Sequence, residues 1–379
     1  FVNANPSFVD EILCEVPLDT LQFHGDESVL DCTQYQMPFI KSLRVKPETN
    51  VEEIAEQFSP ASALLLDSFS PSSYGGTGES FDWSLACVKI SLPIILAGGL
   101  GSRYRGDKQV ASVGPNDECI LEYLMFNAQN IGFSHFVILS STDFISVLKN
   151  KLAYLNDTLD LTFINQFEHD PAYPEHRDKP WGTAHAVWSC RNVVKGEFMV
   201  VNADDYYGAG AFDNAMAFFA ERGSQELGMV SYDLENTLSV NGAVSRGLCA
   251  LNQNILLGVE ENTGVQIINS RIVSNQSADG LPPKLQVSMN CWLLHSDFFN
   301  DLTDFFERFY KKFSADKHIE CMLPKFIEGL ISNGVVVKVY KSQERWFGIT
   351  HPEDRAWCKV RIRKLIQLGF LPSKIKFHQ

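Results

Sequence analysis

The sequence lacks the features that mark several large classes of proteins. Its nine cysteines form no C-x-x-C pair and no cysteine–histidine cluster at zinc spacing, which argues against the common zinc modules. No apolar run is long enough to cross a bilayer, and there is no repeat at solenoid period. No lysine- or arginine-rich run stands out, and the formal net charge is −14. Such an acidic chain is a poor candidate for nonspecific binding to nucleic acids or anionic membranes.

The cysteines also bear on the cellular compartment. An odd number without a disulfide framework predicts reduced thiols, and we therefore expect a cytoplasmic protein. No signal peptide is recognisable, but the chain begins with Phe1 rather than Met, so the sequence leaves a targeting segment open. With 379 residues, 45% of them hydrophobic, the chain is long enough for one large domain or two.

Short strands alternate with helical stretches along the whole chain, an order that favours parallel sheets. The elements are shorter over residues 1–91 than over 92–379, and from about Gly242 they mix with glycine-rich turns. We therefore predict two α/β regions, 1–91 and 92–379, the second a doubly wound, Rossmann-like core with an added mixed-sheet region. The predicted elements include strands at Phe1–Asn3, Leu21–His24, Ile40–Val45, Ala63–Asp67, Pro93–Ala97, Phe198–Asn202 and Gln266–Val273, and helices at Pro6–Cys14, Val51–Phe58, Ile120–Ile131 and Pro352–Leu368.

One stretch joins an apolar strand to glycines and then to cations: LPIILAGGLGSRYRGDKQ, from Leu92 to Gln109. Glycines after a strand leave backbone N–H groups pointing into a concavity that a phosphate can enter. Arg103 and Lys108 would place mobile cations over the same hollow. The spacing is neither that of a Walker A loop nor that of a dinucleotide-binding G-x-G-x-x-G. The alternative is a strand-to-helix turn with solvated basic residues, which the spacing of the arginine and the lysine disfavours.

This stretch resembles the signature of the nucleotidyltransferases that join an NTP to a sugar phosphate or a related phosphate: an apolar strand, L-A-[AG]-G-x-G-x-R and a downstream lysine. Three further segments resemble that family in the same order, the last one in a bacterial subgroup: KPWGTAHA (Lys179–Ala186), FMVVNADDYYG (Phe198–Gly208) and WFGITHPED (Trp346–Asp354). The resemblance covers Pro93 to about Leu371. It implies transfer of an NMP unit from an NTP to a phosphorylated small molecule, a sugar phosphate being expected, with release of pyrophosphate.

The resemblance implies roles for individual residues. Arg103, Lys108 and Asp204 would be catalytic, because positioning and charge neutralisation supply most of the acceleration in such a transfer. Asp204 would bind Mg²⁺, the expected cofactor, and Asp205 would be a second ligand or only a neighbour. The nucleotide-binding residues would be Leu96, Ala97, Gly98, Gly99, Gly101, Lys179, Gly182, Thr183 and Ala184.

Several of these positions also have a plainer interpretation. Asp204 and Asp205, after an apolar strand, suit a helix cap or an Asx turn. Lys179 could be a solvated loop lysine, and His185 could pack inside its helix instead of acting in catalysis. Asn290 in VSMNCW lies where related enzymes often contact the acceptor. Arg246 in AVSRG matches a subgroup segment, but the sequence does not reveal its role.

The sequence departs from the family at the acceptor side. Many sugar-phosphate enzymes carry E-K-P, with a lysine that grips the acceptor phosphate. Here the corresponding segment reads GVEEN (Gly258–Asn262), so Glu260 matches but Glu261 replaces the cation. A carboxylate at that place would repel a phosphate. Either another lysine or arginine holds the acceptor phosphate, or the acceptor is not a usual sugar 1-phosphate.

The first ninety residues resemble a different family, phosphoribosylanthranilate isomerase, a (β/α)8-barrel enzyme of tryptophan biosynthesis. The matching segments are FVN (Phe1–Asn3), LQFHGDE (Leu21–Glu27), IKSLRV (Ile40–Val45), LLLD (Leu64–Asp67) and YGGTGESFDW (Tyr74–Trp83). Asp67 matches the family's general acid, at the end of a barrel strand where barrel catalysis takes place. That family continues with P-x-x-L-A-G-G-L, which is Pro93–Leu100. LPIILAGGL therefore fits both families.

The isomerase-like segment corresponds to barrel strands three to six, followed by the seventh. The first two strands, the eighth, and the cysteine expected in an I-C-G segment are not found. An incomplete barrel leaves open edges, so we expect residues 1–91 to be a partial barrel segment without isomerase activity of its own. Besides the nucleotidyltransferase and the isomerase, a non-catalytic nucleotide-binding or regulatory module remains open. The transferase is favoured because the glycine loop, Arg103, Lys108 and Asp204 are all present.

Overall fold

Two units make up the chain, Phe1–Lys89 and Ile90–Gln379. The structure is a computed structural model, and it describes residues 1–16, 18, 20–35, 37–45, 54, 57–58, 60–61, 63–68, 92–97, 110–140, 142–166, 180–223, 226–239, 241–316, 318–349 and 353–377.

The first unit contains a small parallel sheet. Its described strands are β1 (Leu21–Phe23), β2 (Phe39–Val45) and β3 (Ala63–Ser68), which lie in the order β1-β2-β3. Helix α1 (Pro6–Glu15) begins at Asn5, whose side chain accepts from the backbone N–H of Ser7, and helix α2 (Val29–Thr33) begins with a capping box. The core between these elements contains Leu21, Phe23, Cys32, Phe39 and Phe58.

The strand predicted at Phe1–Asn3 is wrong, since these residues have no strand conformation. Phe1 nevertheless lies beside β1: its amino group donates to Gln22 O at 2.6 Å and its carbonyl accepts from His24 N at 2.8 Å. A strand in a parallel sheet makes backbone hydrogen bonds at several residues along its length. The two hydrogen bonds made by Phe1 alone do not make residues 1–3 a further strand of the sheet. Most of the helix predicted at Val51–Phe58 lies outside the described residues.

The second unit is built on one large mixed sheet and a short ribbon. The sheet strands are β4 (Leu92–Ala97), β5 (Phe133–Ser140), β6 (Asp160–Asn165), β7 (Glu197–Asn202), β9 (Leu227–Asp233), β10 (Val244–Asn252), β11 (Ile255–Ile268), β12 (Arg271–Val273), β13 (Gln286–His295) and β14 (Val337–Ser342), and the ribbon pairs β8 (Asp205–Tyr206) with β15 (Phe347–Gly348). In the described residues the order is β10-β11-β14-β9-β13-β7-β4-β5-β6, with β12 beside β11. Strands β4 to β7 are mutually parallel, and β13 runs antiparallel to β7.

Helices cover both faces of this sheet. They are α3 (Ile120–Asn130), α4 (Thr142–Leu152), α5 (Thr183–Trp188), α6 (Ala209–Glu221), α7 (Phe298–Phe313), α8 (Leu323–Ser332) and α9 (Asp354–Gln367). Successive residues of β7 point to opposite faces: Met199 and Val201 join one apolar cluster, while Phe198 and Val200 join another. A parallel strand buried on both faces is the mark of a doubly wound sheet.

The chain reverses its direction of travel through the sheet at β4. From β4 it passes to β5 and β6 on one side, and it then returns to place β7 on the other side of β4. In open α/β sheets, ligands bind beyond the carboxyl ends of the strands at such a switch point. The fold therefore predicts a ligand site at the carboxyl ends of β4 and β7.

Two further differences concern the added sheet region and one helix. The strand predicted at Gln266–Val273 is instead a hairpin between β11 and β12. Asn269 and Ser270 have φ of +48° and +62° there. Positive φ at both central residues is what a two-residue hairpin loop with a type I′ turn requires. Helix α4, with the sequence TDFISVLKNKL, was not predicted from the sequence. The predicted helix at Ile120–Ile131 agrees with α3 within one residue.

Candidate active site

A cavity of about 740 Å³ opens in the second unit where polar side chains follow the strand ends. Its described lining comes from the end of β7, the start of α5, strands β10, β11 and β13, and the start of α8. It includes Gly182, Thr183, Asp204, Asp205, Asn290 and Glu260. These residues were predicted from four separate stretches of sequence, and the tertiary structure brings them to one place.

The ends of the two central strands lie side by side. Ala97, the last residue of β4, pairs with Asn202, the last residue of β7. The glycine stretch follows Ala97 directly in the sequence, and Asp204 comes two residues after Asn202. Both predicted phosphate-side segments therefore start from neighbouring strand ends at the switch point.

Asp204 and Asp205 line the cavity and are both largely buried. One carboxylate oxygen of Asp205 accepts from Asn202 Nδ2 at 2.8 Å. The backbone carbonyl of Asp204 accepts from Ile349 N at 3.4 Å. Neither residue caps a helix, because α6 begins only at Ala209 and its cap is Gly208. The helix-cap interpretation of this pair therefore does not apply.

The predicted nucleotide-binding turn is held by a second segment. Gly182 has φ of +102°, and a Cβ there would lie 2.5 Å from Cys321 O, so both backbone and space require glycine. Ala184 N donates to Cys321 O at 2.9 Å, and Cys321 N donates to Trp181 O at 2.6 Å. Thr183 Oγ1 accepts from Leu323 N at 2.9 Å. Gly182 and Thr183 line the cavity, whereas Ala184 is buried behind it.

Asn290 lies on a bulge of β13. The register between β13 and β9 shifts between Ser288 and Trp292, and Asn290 has φ of +57°. Asparagine tolerates this left-handed conformation better than most residues do, and bulges re-aim side chains beside active sites. The side chain at 290 contributes to the cavity wall, as its predicted acceptor contact needs.

Arg246, for which the sequence offered no role, is a buried cation in the cavity wall. Its Nε donates to Thr237 Oγ1 at 3.0 Å, its Nη1 to Ser245 O at 2.7 Å, and its Nη2 to Thr237 O. Its guanidinium lies 4.8 Å from the ring centre of Trp346. Burial lowers the pKa of Arg246 to about 10, against the attraction of Asp205 and Asp354. The group is therefore charged at neutral pH.

Lys325 is a cavity residue that sequence reasoning missed. It stands in the first turn of α8 and lines the cavity, as Glu260 and Glu261 do. Its Nζ lies 2.8 Å from Glu328 Oε2, and the two side chains are 68% and 30% exposed. Arg246 and Lys325 are the basic side chains among the described lining residues. No motif marks Lys325, because a lysine after a proline at a helix start is ordinary sequence.

The other predicted site residues fall in three groups. Gly98, Gly99, Gly101, Arg103, Lys108 and Lys179 lie outside the described residues. Leu96, Ala97 and Asp67 are described through their backbones, the first two in β4 and the third in β3. His185 is buried in α5 with its ring centre 4.8 Å from that of Phe306, and it is not part of the cavity wall. Its position favours packing over catalysis.

Two family models match the chain in the predicted order. Residues 1–103 match N-(5'-phosphoribosyl)anthranilate isomerase, and residues 92–247 match nucleotidyl transferase. Residues 92–103 lie within both matches, and this overlap includes LPIILAGGL, the stretch predicted to fit both families. Both resemblances are confirmed.

The curated relatives concern the isomerase-like part. The isomerase of Pseudomonas putida strain F1 is 49% identical over 115 residues, which are 30% of this chain and 55% of that protein. The isomerase of Thiobacillus denitrificans is 50% identical over 100 residues, 26% of this chain and 49% of that protein. The chain thus spans about half the length of these relatives.

Solved structures resemble the second unit. A protein described as a glucose-1-phosphate thymidylyltransferase from Bacillus anthracis, in complex with sucrose, aligns with a TM-score of 0.50 at 14% identity, covering 76% of this chain and 98% of that one. The inositol-1-phosphate CTP transferase of T. maritima gives 0.49 at 14% identity, covering 73% and 98%. The first of these likenesses shows the fold, so the predicted α/β class is confirmed. In the described ranges, no helix has both the length and the apolarity to cross a membrane.

Proposed function

We propose that residues 92–379 form an Mg²⁺-dependent nucleotidyltransferase that moves an NMP unit from an NTP to a phosphorylated small molecule. One observation carries the proposal: the described cavity at the sheet's switch point unites Gly182 and Thr183 with Asp204 and Asp205. The match of residues 92–247 to the nucleotidyl transferase family supports it. The proposed site is thus the one to which topology, motifs and family similarity all point.

The residues present fit a magnesium ion. Asp204 and Asp205 supply carboxylate oxygens in the cavity, and hard oxygen donors are what Mg²⁺ prefers. Among the described residues no group of three or more histidines, cysteines and acidic residues is placed to hold a metal. Two carboxylates leave coordination positions for substrate phosphates and water, the usual manner of binding this ion. Bound there, the ion would neutralise phosphate charge.

The proposed reaction needs orientation more than proton transfer. An oxygen of the acceptor phosphate bonds to the α-phosphorus of the NTP, the bond from that phosphorus to the bridging oxygen breaks, and pyrophosphate leaves with the electron pair. The acceptor oxygen is already anionic, so no strong general base is required. In the proposal, Gly182 and Thr183 position the nucleotide, Asn290 contacts the acceptor, and Arg103 and Lys108 neutralise the leaving pyrophosphate.

Lys325 is proposed to hold the acceptor phosphate in place of the lysine that Glu261 replaces. It lines the same cavity as Glu260 and Glu261. Its pairing with Glu328 is solvent-exposed, and such ion pairs contribute little, so a doubly charged phosphate can compete for the ammonium group. Arg246 is less suited to this task because three of its N–H groups are occupied by Thr237 and Ser245. Glu260 and Glu261 would then accept bonds from hydroxyl groups of the acceptor.

The test is pyrophosphate release with Mg²⁺, measured for each of the four NTPs against a panel of sugar 1-phosphates and other phosphorylated small molecules. We expect release that depends on one acceptor class and is lost in Asp204→Asn. NTP binding without release for every pair would instead favour a binding or regulatory module. Failure to bind any NTP would rule out both interpretations.

Isomerase activity is a second candidate because identity to the curated isomerases reaches 53%. We propose that this chain lacks it. The described part of the first unit is a three-stranded sheet, whereas the barrel chemistry needs strand ends arranged around a closed ring. Conversion of phosphoribosylanthranilate by the purified chain would overturn this proposal.

A further inference from the structure

A segment near the end of the chain runs directly against the aspartate pair. Strand β15 pairs antiparallel with β8, so that Gly348 faces Asp205 and Phe347 faces Tyr206. The rings of Phe347 and Tyr206 stack with centres 4.7 Å apart, and Ile349 N donates to Asp204 O. The family match ends at residue 247, a hundred residues before this contact. The contact between this segment, part of the WFGITHPED stretch, and the proposed metal side therefore lies outside the family match.

Gly348 is a glycine for a reason other than its backbone. Its φ is not among the positive values that favour glycine. A Cβ at this position would instead overlap Oδ1 of the Asp205 carboxylate, and it would lie 3.1 Å from the carbonyl oxygen of Asp204. The Asp205 carboxylate thus occupies the space that any other side chain at 348 would take.

The Asp205 carboxylate is held from several directions at once. Its Oδ2 accepts from Asn202 Nδ2 at 2.8 Å, while its Oδ1 rests over Gly348. The buried charge of Arg246 interacts electrostatically with it. Each carboxylate oxygen has two lone pairs, so these contacts orient the group and still leave lone pairs for a cation.

We propose that Gly348 is a positioning residue for the Asp205 carboxylate and thereby for the cation that Asp204 and Asp205 hold. The inference rests on the proposed function for the choice of cation, but its geometry stands on the contact between Gly348 and Asp205. Supporting groups of this kind matter because a carboxylate ligand must be held in the orientation that the metal requires.

The experiment compares Gly348→Ala with Gly329→Ala in the full chain. Gly329 lies in α8, and a Cβ there would meet no atom within 4 Å, so this variant controls for adding a methyl group. Mn²⁺ binding is titrated by electron paramagnetic resonance, in which only free Mn²⁺ gives the sharp signal. We expect Gly348→Ala to weaken Mn²⁺ binding by about tenfold or more, the usual cost of disturbing a ligand's support, and Gly329→Ala to leave it unchanged.

A double-mutant cycle separates positioning from a general effect on folding. In the Asp205→Ala background the overlapping oxygen is gone and only the 3.1 Å approach to the Asp204 carbonyl remains. Adding Gly348→Ala there should leave Mn²⁺ binding unchanged and lower the melting temperature less than it does in the wild-type chain. If Gly348→Ala alone does not fold, the double variant must still fold as well as Asp205→Ala does. Equal effects of Gly348→Ala in both backgrounds, or wild-type Mn²⁺ affinity in the single variant, would overturn the inference.

The cycle also distinguishes this inference from the proposed reaction. Mn²⁺ binding that depends on Asp205 and Gly348, without pyrophosphate release from any substrate pair, would support the positioning role and refute the transferase. Pyrophosphate release by the wild-type chain, together with unaltered Mn²⁺ binding in Gly348→Ala, would support the transferase and refute the positioning role. A wild-type chain that binds no Mn²⁺ would refute the positioning role.

Discussion

The two units of this chain contrast in sequence similarity and in the size of the sheet that the structure describes. The first unit is about half identical to curated isomerases, yet its described part is a three-stranded sheet. The second resembles solved structures at 14% identity, yet it forms a large mixed sheet with a cavity at its switch point. Sequence identity reports common descent of a segment. A sheet covered on both faces holds its strand ends, and with them a ligand site, in place.

Both units expose some large apolar side chains, and the informative contrast lies in the strands. In the first unit, Leu21 on β1 is buried, but Leu65 on β3 is 39% exposed. In the second, Met199, Val201 and Phe198 on the central strand are fully buried on alternate faces. A strand flanked on both faces by helices fixes its end, and with it the residues that follow. The second unit is therefore where we expect chemistry.

The largest expected effect comes from Asp204→Asn in the second unit. Loss of this carboxylate should reduce pyrophosphate release about 100- to 1000-fold, as when one group that stabilises developing charge is removed. The matched control is Asp117→Asn, at an exposed position with φ of +67° that asparagine also tolerates. A rate in Asp204→Asn equal to that of the control would remove Asp204 from the site.

The next largest effect concerns a buried ion pair in the first unit. Lys41 Nζ lies 3.0 Å from Glu27 Oε2 and donates to Gly25 O at 2.7 Å, with both side chains almost fully buried. Lys41→Met should destabilise this unit by about 3–5 kcal/mol, because it leaves a buried carboxylate unpaired. Hydrogen exchange of peptides from residues 1–45 measures the loss, while pyrophosphate release should stay unchanged.

The double variant Lys41→Met/Glu27→Gln is the control for this pair, and it should recover part of the stability. The pH dependence gives an independent check. Burial raises the pKa of Glu27, but hydrogen bonds from Lys41 and the Asn3 backbone outweigh it, so the net pKa is lowered. The stabilisation is then present above the ordinary pKa of a glutamate and is lost as the pH falls. Protection factors in this unit, corrected for the intrinsic exchange rate at each pH, should fall in acid, and factors that stay constant would contradict the assigned pairing.

A smaller effect concerns the acceptor. Lys325→Met should raise the KM for the acceptor about 10- to 100-fold, the loss expected for a charge-assisted hydrogen bond, with little change in the KM for the NTP. Lys311→Met is the control, since Lys311 is 79% exposed on α7. Equal increases in both KM values would show that Lys325 supports the cavity as a whole and does not select the acceptor.

The smallest expected effect is that of removing the first unit. A chain that starts at Ile90 should release pyrophosphate at the rate of the full chain, because every described cavity residue belongs to the second unit. A large loss of activity, with the truncated chain still folded by circular dichroism, would mean that the two units act together.

Local pattern was enough to predict much of the second unit. Apolar strands and helical spacing located α3 and β7 within one residue at each end, because burial imposes a period of 2 or 3.6 on side chains whatever the rest of the chain does. The hairpin between β11 and β12 was missed, since a turn made of asparagine and serine carries no glycine or proline to mark it. Lys325 was missed because its proposed role depends on the cavity that it shares with Glu260 and Glu261, which are distant in sequence.

By itself, the sequence determined that two families meet within LPIILAGGL, and it determined the order of the motifs and the residue types that suit phosphate and Mg²⁺. Those properties are local, so they can be read along the chain. Only the tertiary structure decided that Arg246 lies in the cavity wall, that Lys325 shares it with Glu261, and that Gly348 makes room for Asp205. Such contacts join residues up to 143 positions apart (Asp205 to Gly348), and sheet pairing and packing determine them, while neither has a signature in the local sequence.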